Sequence, residues 1–209
     1  MHISYRPKSE SVNFISRTPA FAFIAFLTFS SGCSVLVGNV KPVEEKSERY
    51  SIVDLAKSNP DWKALPPQSV KNAGSESGSE GASSENSSDV AYQSKKTASI
   101  ISLNSSCRKS NLRKDLNLRD YSKVLLLGLS EINDYQEKEV QLAGYPAFET
   151  VTDGKMPLEK DDKIETVRLK TYVVKKEECL YDLMYIAKPD HFSSQETDFD
   201  SFVQSLKIK

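Results

Sequence analysis

Nucleophilic catalysis needs a serine or cysteine beside a base, and of the two histidines, His2 and His191, only the second lies beyond the first 32 residues. His191 is therefore the single candidate base, Cys107 with His191 is the pairing for a hydrolase-like site, and Lys188-Pro189-Asp190-His191 reads as a turn leading into a helix. Acid–base chemistry by paired carboxylates has candidates in Glu177-Glu178, Asp161-Asp162 and Asp198 with Asp200. Such work requires burial to raise one pKa, whereas these pairs fall in expected turns or at a helix start, where solvent or the helix dipole accounts for them. Asp153-Gly154-Lys155 and Asp161-Asp162-Lys163 are too short for an EF-hand loop. The 8 glycines form no phosphate cradle. One histidine without a close cysteine pair makes no zinc site. No metal or other cofactor is expected, and an enzyme is the third-ranked reading. Tyr172, Tyr181 and Tyr185 have more functional colour: on neighbouring strands they would line a binding face or cleft, although tyrosine is also an ordinary strand former.

Charge does not point to a partner. The chain of 209 residues carries 28 basic and 29 acidic side chains, which gives no nucleic-acid footprint and no polybasic patch. The ends differ: Arg6, Lys8 and Arg17 stand against Glu10 in residues 1–32, and the remainder carries −3. After Pro19 the stretch Ala20 to Phe29 is uncharged and rich in phenylalanine, and the small residues Ser30, Ser31 and Gly32 follow at once. A basic region, an apolar run and small residues make a secretory signal, to be set apart from fold reasoning.

Ser30-Ser31-Gly32-Cys33 resembles the lipobox that ends the signals of bacterial lipoproteins, with Ser31, Gly32 and Cys33 in place and Ser30 where leucine is usual. The resemblance implies cleavage between Gly32 and Cys33, a diacylglyceryl group on the Cys33 thiol and acylation, such as by palmitate, of the new amino group. Several acyl chains hold a protein far better than one, since each buried methylene contributes about 0.8 kcal/mol. Two other readings stay open: an uncleaved anchor helix over residues 20–37, interrupted by its small polar residues, and a secretory signal whose cysteine is not lipidated. Ser34 after the cysteine resembles outer-membrane lipoproteins of enteric bacteria, so the outer membrane is favoured over the inner. With Cys33 consumed by lipid, Cys107 and Cys179 remain as an even pair in an oxidising periplasm, and either bridge or sit as buried free thiols.

The elements that would position these residues divide the exported part. Residues 33–49 read as a polar tether, and 50–65, with the only tryptophan, Trp62, as a short segment docked on the core, where Asn59-Pro60-Asp61 turns the chain or opens a helical turn. Residues 66–89 are dominated by serine, glycine and glutamate and are expected to be a disordered linker or loop. The compact domain is expected over 90–209. Its strands fall at Val90 to Gln93, Ala98 to Asn104, Tyr135 to Leu142, Tyr145 to Thr152, Ile164 to Lys175 and Cys179 to Ala187, with a turn beginning at Asp153-Gly154. Both parities of the last strand are apolar, which makes it central. One helix is expected over Leu116 to Leu129, and another near the end, with Ser193 and Glu196 as a capping box and Phe199, Phe202, Val203 and Leu206 on its buried face. The result is an α+β sandwich: an antiparallel sheet of about five to six strands with two packed helices.

That element order, Trp62 ahead of the paired strands, and the closing phrase Asp198 to Leu206 resemble the PsbP-like and DcrB-like α/β sandwich family over about residues 50–209, with the serine-rich stretch as a departure. The resemblance implies a non-enzymatic part that binds proteins or membranes. The expected function is thus an envelope lipoprotein with a binding or structural domain, its partners a lipid membrane through Cys33 and an envelope protein. A small-ligand or lipid-binding lipoprotein is the alternative.

Overall fold

The computed structural model describes residues 39–41, 46, 48–67, 87–107, 117–157 and 164–209. The expected signal over residues 1–32, with Gly32 and Cys33 at its expected cleavage point, and the Asp161-Asp162 pair lie outside the described residues.

The main sheet is built from seven strands, the central ones rich in apolar or β-branched residues. In chain order they are β3 (Trp62–Ala64), β5 (Val90–Ser94), β6 (Ile100–Cys107), β7 (Ser130–Leu142), β8 (Tyr145–Pro157), β9 (Ile164–Lys176) and β10 (Cys179–Ala187). They form one seven-stranded antiparallel sheet in the order β3-β5-β6-β10-β9-β8-β7. β10 occupies the middle, and all nine of its residues are buried, as its two apolar parities require. Two-residue strands add small pairings: β1 (Asn39–Val40) runs parallel to β4 (Ser87–Ser88), and β2 (Tyr50–Ser51) antiparallel to β11 (Lys207–Ile208).

The strands outnumber the expected five to six, and the described residues hold three helices rather than two: α1 (Leu55–Ser58), α2 (Leu118–Val124) and α3 (Pro189–Gln204). They cover both faces. α3 lays Phe192, Phe199, Phe202 and Val203 on one face, against Leu103, Tyr181, Leu183 and Tyr185. On the other face Leu126 and Leu129, just past α2, meet Met156, Val167, Leu169, Met184 and Ile186.

The segment with Trp62 is fastened to the α3 layer. Trp62 Nε1 donates to Asp198 at 2.9 Å, Asn59 Nδ2 donates to the same carboxylate at 3.2 Å, and the Val53 amide donates to Ser205 Oγ at 3.0 Å. α1 precedes Pro60 instead of starting from it, because Asp54 caps it by accepting from the Ala56 amide. Within 33–49 and 66–89, expected to be tether and disordered linker, β1 and β4 pair, and Lys41 and Asp89 join across them.

Three local expectations are corrected. α3 begins four residues before Ser193, with Lys188 at its N-cap and Pro189 in the first turn, where a missing N–H costs nothing. α2 ends at Val124 and continues as turns, so it is shorter than the Leu116 to Leu129 periodicity. Asp153-Gly154 is not a turn: β8 runs on to Pro157, and a Cβ added at Gly154 would stand 3.0 Å from Leu129 Cδ1, a close approach that suits glycine.

Candidate functional site

Cys107 and Cys179 form a disulfide. They are directly opposite in the β6–β10 register, with Cα atoms 4.1 Å apart. The bridge closes the end of the sheet at which β6 finishes and β10 starts. It removes Cys107 from nucleophilic chemistry, and His191, on an exposed turn of α3, has Asp190 at 3.9 Å. The expected carboxylate pairs also separate: Glu177 and Glu178 are exposed in the β9–β10 turn, while Asp198 holds Trp62 and Asp200 accepts from Lys170 at 2.7 Å.

The three tyrosines do share a face, the one α3 covers. Tyr181 and Tyr185 are 1% and 0% exposed. The Tyr185 ring stacks on Phe199 at 5.5 Å and its hydroxyl donates to the Phe192 carbonyl at 2.8 Å, while Tyr181 meets Tyr50 edge-on at 6.0 Å. These are core contacts, and α3 fills the side on which a tyrosine-walled pocket would open. Tyr172 is half-buried at the margin and donates to Glu149 Oε2 at 2.6 Å. Glu149 also pairs with Lys138 at 2.8 Å. The carboxylate beside it and burial together push the Tyr172 hydroxyl far above its ordinary pKa, burial being the larger cause.

A polar network that reaches both faces of the sheet escaped sequence reasoning, with Asp182 and Asn104 on the face opposite Tyr181 and Ser105 on the same face as Tyr181. Asp182, in the middle of β10, accepts from Asn104 Nδ2 at 3.0 Å and from Tyr121 Oη of α2 at 3.1 Å. Lys41 Nζ donates to Asn104 Oδ1 at 2.6 Å, to the Ser105 carbonyl at 2.7 Å and to Asp89 Oδ1 at 2.7 Å, and Ser105 Oγ donates to Asp89 Oδ2. Asp89 is wholly buried. Desolvation by burial raises the Asp182 carboxyl to about 6, against the donors Asn104 and Tyr121 and the Lys41 charge, which lower it. One signal was present: a lone acid inside the apolar run from Leu180 to Ile186. Lys41 gave none, because its partners lie 48 to 64 residues away.

Chemically this network is a clasp. It ties the N-terminal strand, the start of β5, β6, β10 and α2 through charge-assisted hydrogen bonds, with no nucleophile among its members except hydroxyls that already donate. No group of three or more metal-ligating side chains occurs among the described residues. No helix of the described residues is long and apolar enough to cross a membrane.

Among solved structures, the chain is similar to the cyanobacterial PsbP (CyanoP) of Synechocystis, at 13% identity and a TM-score of 0.46 over 79% of this chain and 95% of that one. It is also similar to LpqN of Mycobacterium tuberculosis, involved in cell envelope biogenesis, at 14% identity and a TM-score of 0.45 over 77% and 83% of the two chains. A protein of unknown function from Pseudomonas aeruginosa follows at 13% identity and a TM-score of 0.38, over 58% and 75%. No family model and no curated protein matches the chain.

Proposed function

We propose that this chain is a cell-envelope lipoprotein, anchored through lipid on Cys33, whose folded part is a non-enzymatic binding domain for an envelope protein. The carrying observation is the cysteine accounting. Two of the three cysteines are joined to each other across β6 and β10, which suits an oxidising compartment. The third is the one that follows the apolar run and the small residues of the signal. Its thiol is thereby the single one left for acylation.

The binding role draws support from apolar side chains that the core does not use. Val124, Leu127, Ile132 and Tyr135 are 51%, 80%, 43% and 40% exposed over one stretch joining α2 to β7. The four fall within twelve residues of sequence, and exposed apolar side chains that make a contiguous patch mark contact surfaces. Mass spectrometry of the membrane-extracted protein tests the anchor: a mature chain starting at acylated Cys33 is expected, and one retaining Met1 to Gly32, or without lipid, refutes it. Pull-down with the anchored form tests the binding role, with a specific envelope protein recovered by the wild type and lost on Leu127→Glu. Equal recovery of everything by both forms refutes that half.

A further inference from the structure

We infer that the disulfide end of the main sheet, with the β2–β11 pair beside it, faces the lipid bilayer, held there by the shortness of the chain between Cys33 and β1; this rests on the lipoprotein reading above. The direction of entry follows from register. β6 runs toward Cys107, so β5, antiparallel to it, runs away from the disulfide, with Val90 opposite Leu103 and Gln93 opposite Ile100. β4 leads into β5 in the same direction, and β1 is parallel to β4, with Asn39 opposite Ser87 and Val40 opposite Ser88. β1 therefore runs away from the disulfide end, with Asn39 on the side nearer to it. Lys41 then fixes it there by donating to the Ser105 carbonyl and to Asp89.

Cys33 and Asn39 are six residues apart, a span of at most about 20 Å when fully extended. The opposite end of the sheet, at Ile100, lies seven residues along β6 from Cys107, about 23 Å further away. A lipid at Cys33 thus keeps the disulfide end near the headgroups and the Trp62 end away from them.

The surface at this end suits anionic headgroups. Arg49 donates to Cys179 Sγ, Lys209 pairs with Arg49 through its amide, Lys207 lies opposite Ser51, and Lys176 lies opposite Cys179. With Lys175 they place five cations here, against Glu48, Glu177 and Glu178 in the same neighbourhood.

The test is lysine footprinting of the full acylated protein by acetic anhydride, read by mass spectrometry, in detergent and in vesicles of phosphatidylethanolamine with phosphatidylglycerol. Lys207 and Lys209 are expected to label several-fold more slowly on vesicles, while Lys57, Lys95 and Lys96 near the Trp62 end label at equal rates in both. Inserting twenty Gly/Ser residues after Ser34 is expected to abolish the difference. Acylated protein with Lys207 unprotected, with Lys95 and Lys96 protected instead, or with protection that survives the insertion overturns the orientation alone. The same spectra report Cys33, and an unacylated cysteine overturns the lipoprotein reading and the orientation with it.

Discussion

Asp182 is held between opposed demands, donors that favour its charge and burial that disfavours it, and burial wins. Its folded pKa of about 6 stands above the ordinary 3.8, so the protonated form is the one the fold prefers. The stability this contributes is complete below pH 4 and is lost as pH rises through about 6, a difference of about 3 kcal/mol between the two limits. Asp182→Asn keeps an acceptor for Asn104 and Tyr121 without the charge. Urea unfolding of the variant is expected to lose most of the fall in stability between pH 4 and 7 and to equal or exceed the wild type at pH 7. An unchanged pH profile would show that the carboxyl is not desolvated. The disulfide is the other residue-scale stabiliser: it spans 72 residues, and chain entropy assigns such a loop about 4 kcal/mol. The double variant Cys107→Ser/Cys179→Ser should lower the denaturant midpoint accordingly, and a midpoint equal to that of the wild type would sink the assignment. Sequence made Cys107 and Cys179 legible as an even pair, since counting suffices. It hid the Lys41 clasp, since nothing local marks a lysine that will bond across half the chain.

Elements were legible where one period ran long enough to stand out. β9, β10 and their hairpin are read directly from the alternation of Val167, Leu169, Thr171 and Val173, and α3 from its phenylalanines, because both layers bury a full face. The sequence places the start of β7 at Tyr135 rather than Ser130: the first residues, Ser130 to Asp134, are exposed, and a strand that buries neither face leaves no pattern. Two-residue strands were invisible for the same reason of length. The capping spacing at Ser193 and Glu196 was a coincidence inside a helix that Pro189 had already begun. The β7–β8 turn offers a test of local chemistry: Ala143 sits at φ 52° and Gly144 at φ 83°, the left-handed pair of a type I′ hairpin, in which asparagine suits the first place and alanine does not. Ala143→Asn is expected to stabilise the protein by about 0.5–1 kcal/mol in chemical denaturation, and a destabilised variant would mean that the turn is held by something other than its own backbone. Lys41→Ala should act in the opposite sense. It leaves Asp89, fully buried, without its cation, which costs about 3–5 kcal/mol when a buried pair loses one partner. Hydrogen exchange should then show Ser87 to Val90 opening first, and uniform exchange across the sheet would argue against a local clasp.

At the scale of the molecule, the proposed anchor at Cys33 and the folded part would be separable in energy though joined in geometry. Among the described residues both core clusters are assembled from Val40 onward, and none of these members is altered by removal of the Cys33 thiol. The five cations at the disulfide end are balanced by three nearby acids, and surface charges at that density attract a bilayer weakly, at about 1 kcal/mol for each net charge close to it. Two or three acyl chains outweigh such a term by an order of magnitude. Cys33→Ser is therefore expected to move the protein from the membrane fraction to the soluble one at ordinary salt, while its thermal transition stays where it is in the detergent-solubilised wild type. A variant that remains with the membranes would place the binding energy in the folded part rather than in the lipid. A variant that is soluble but lacks a cooperative transition would show that the anchor, by fixing the chain that enters at Asn39, also holds the clasp of Lys41, Asp89 and Asn104 together.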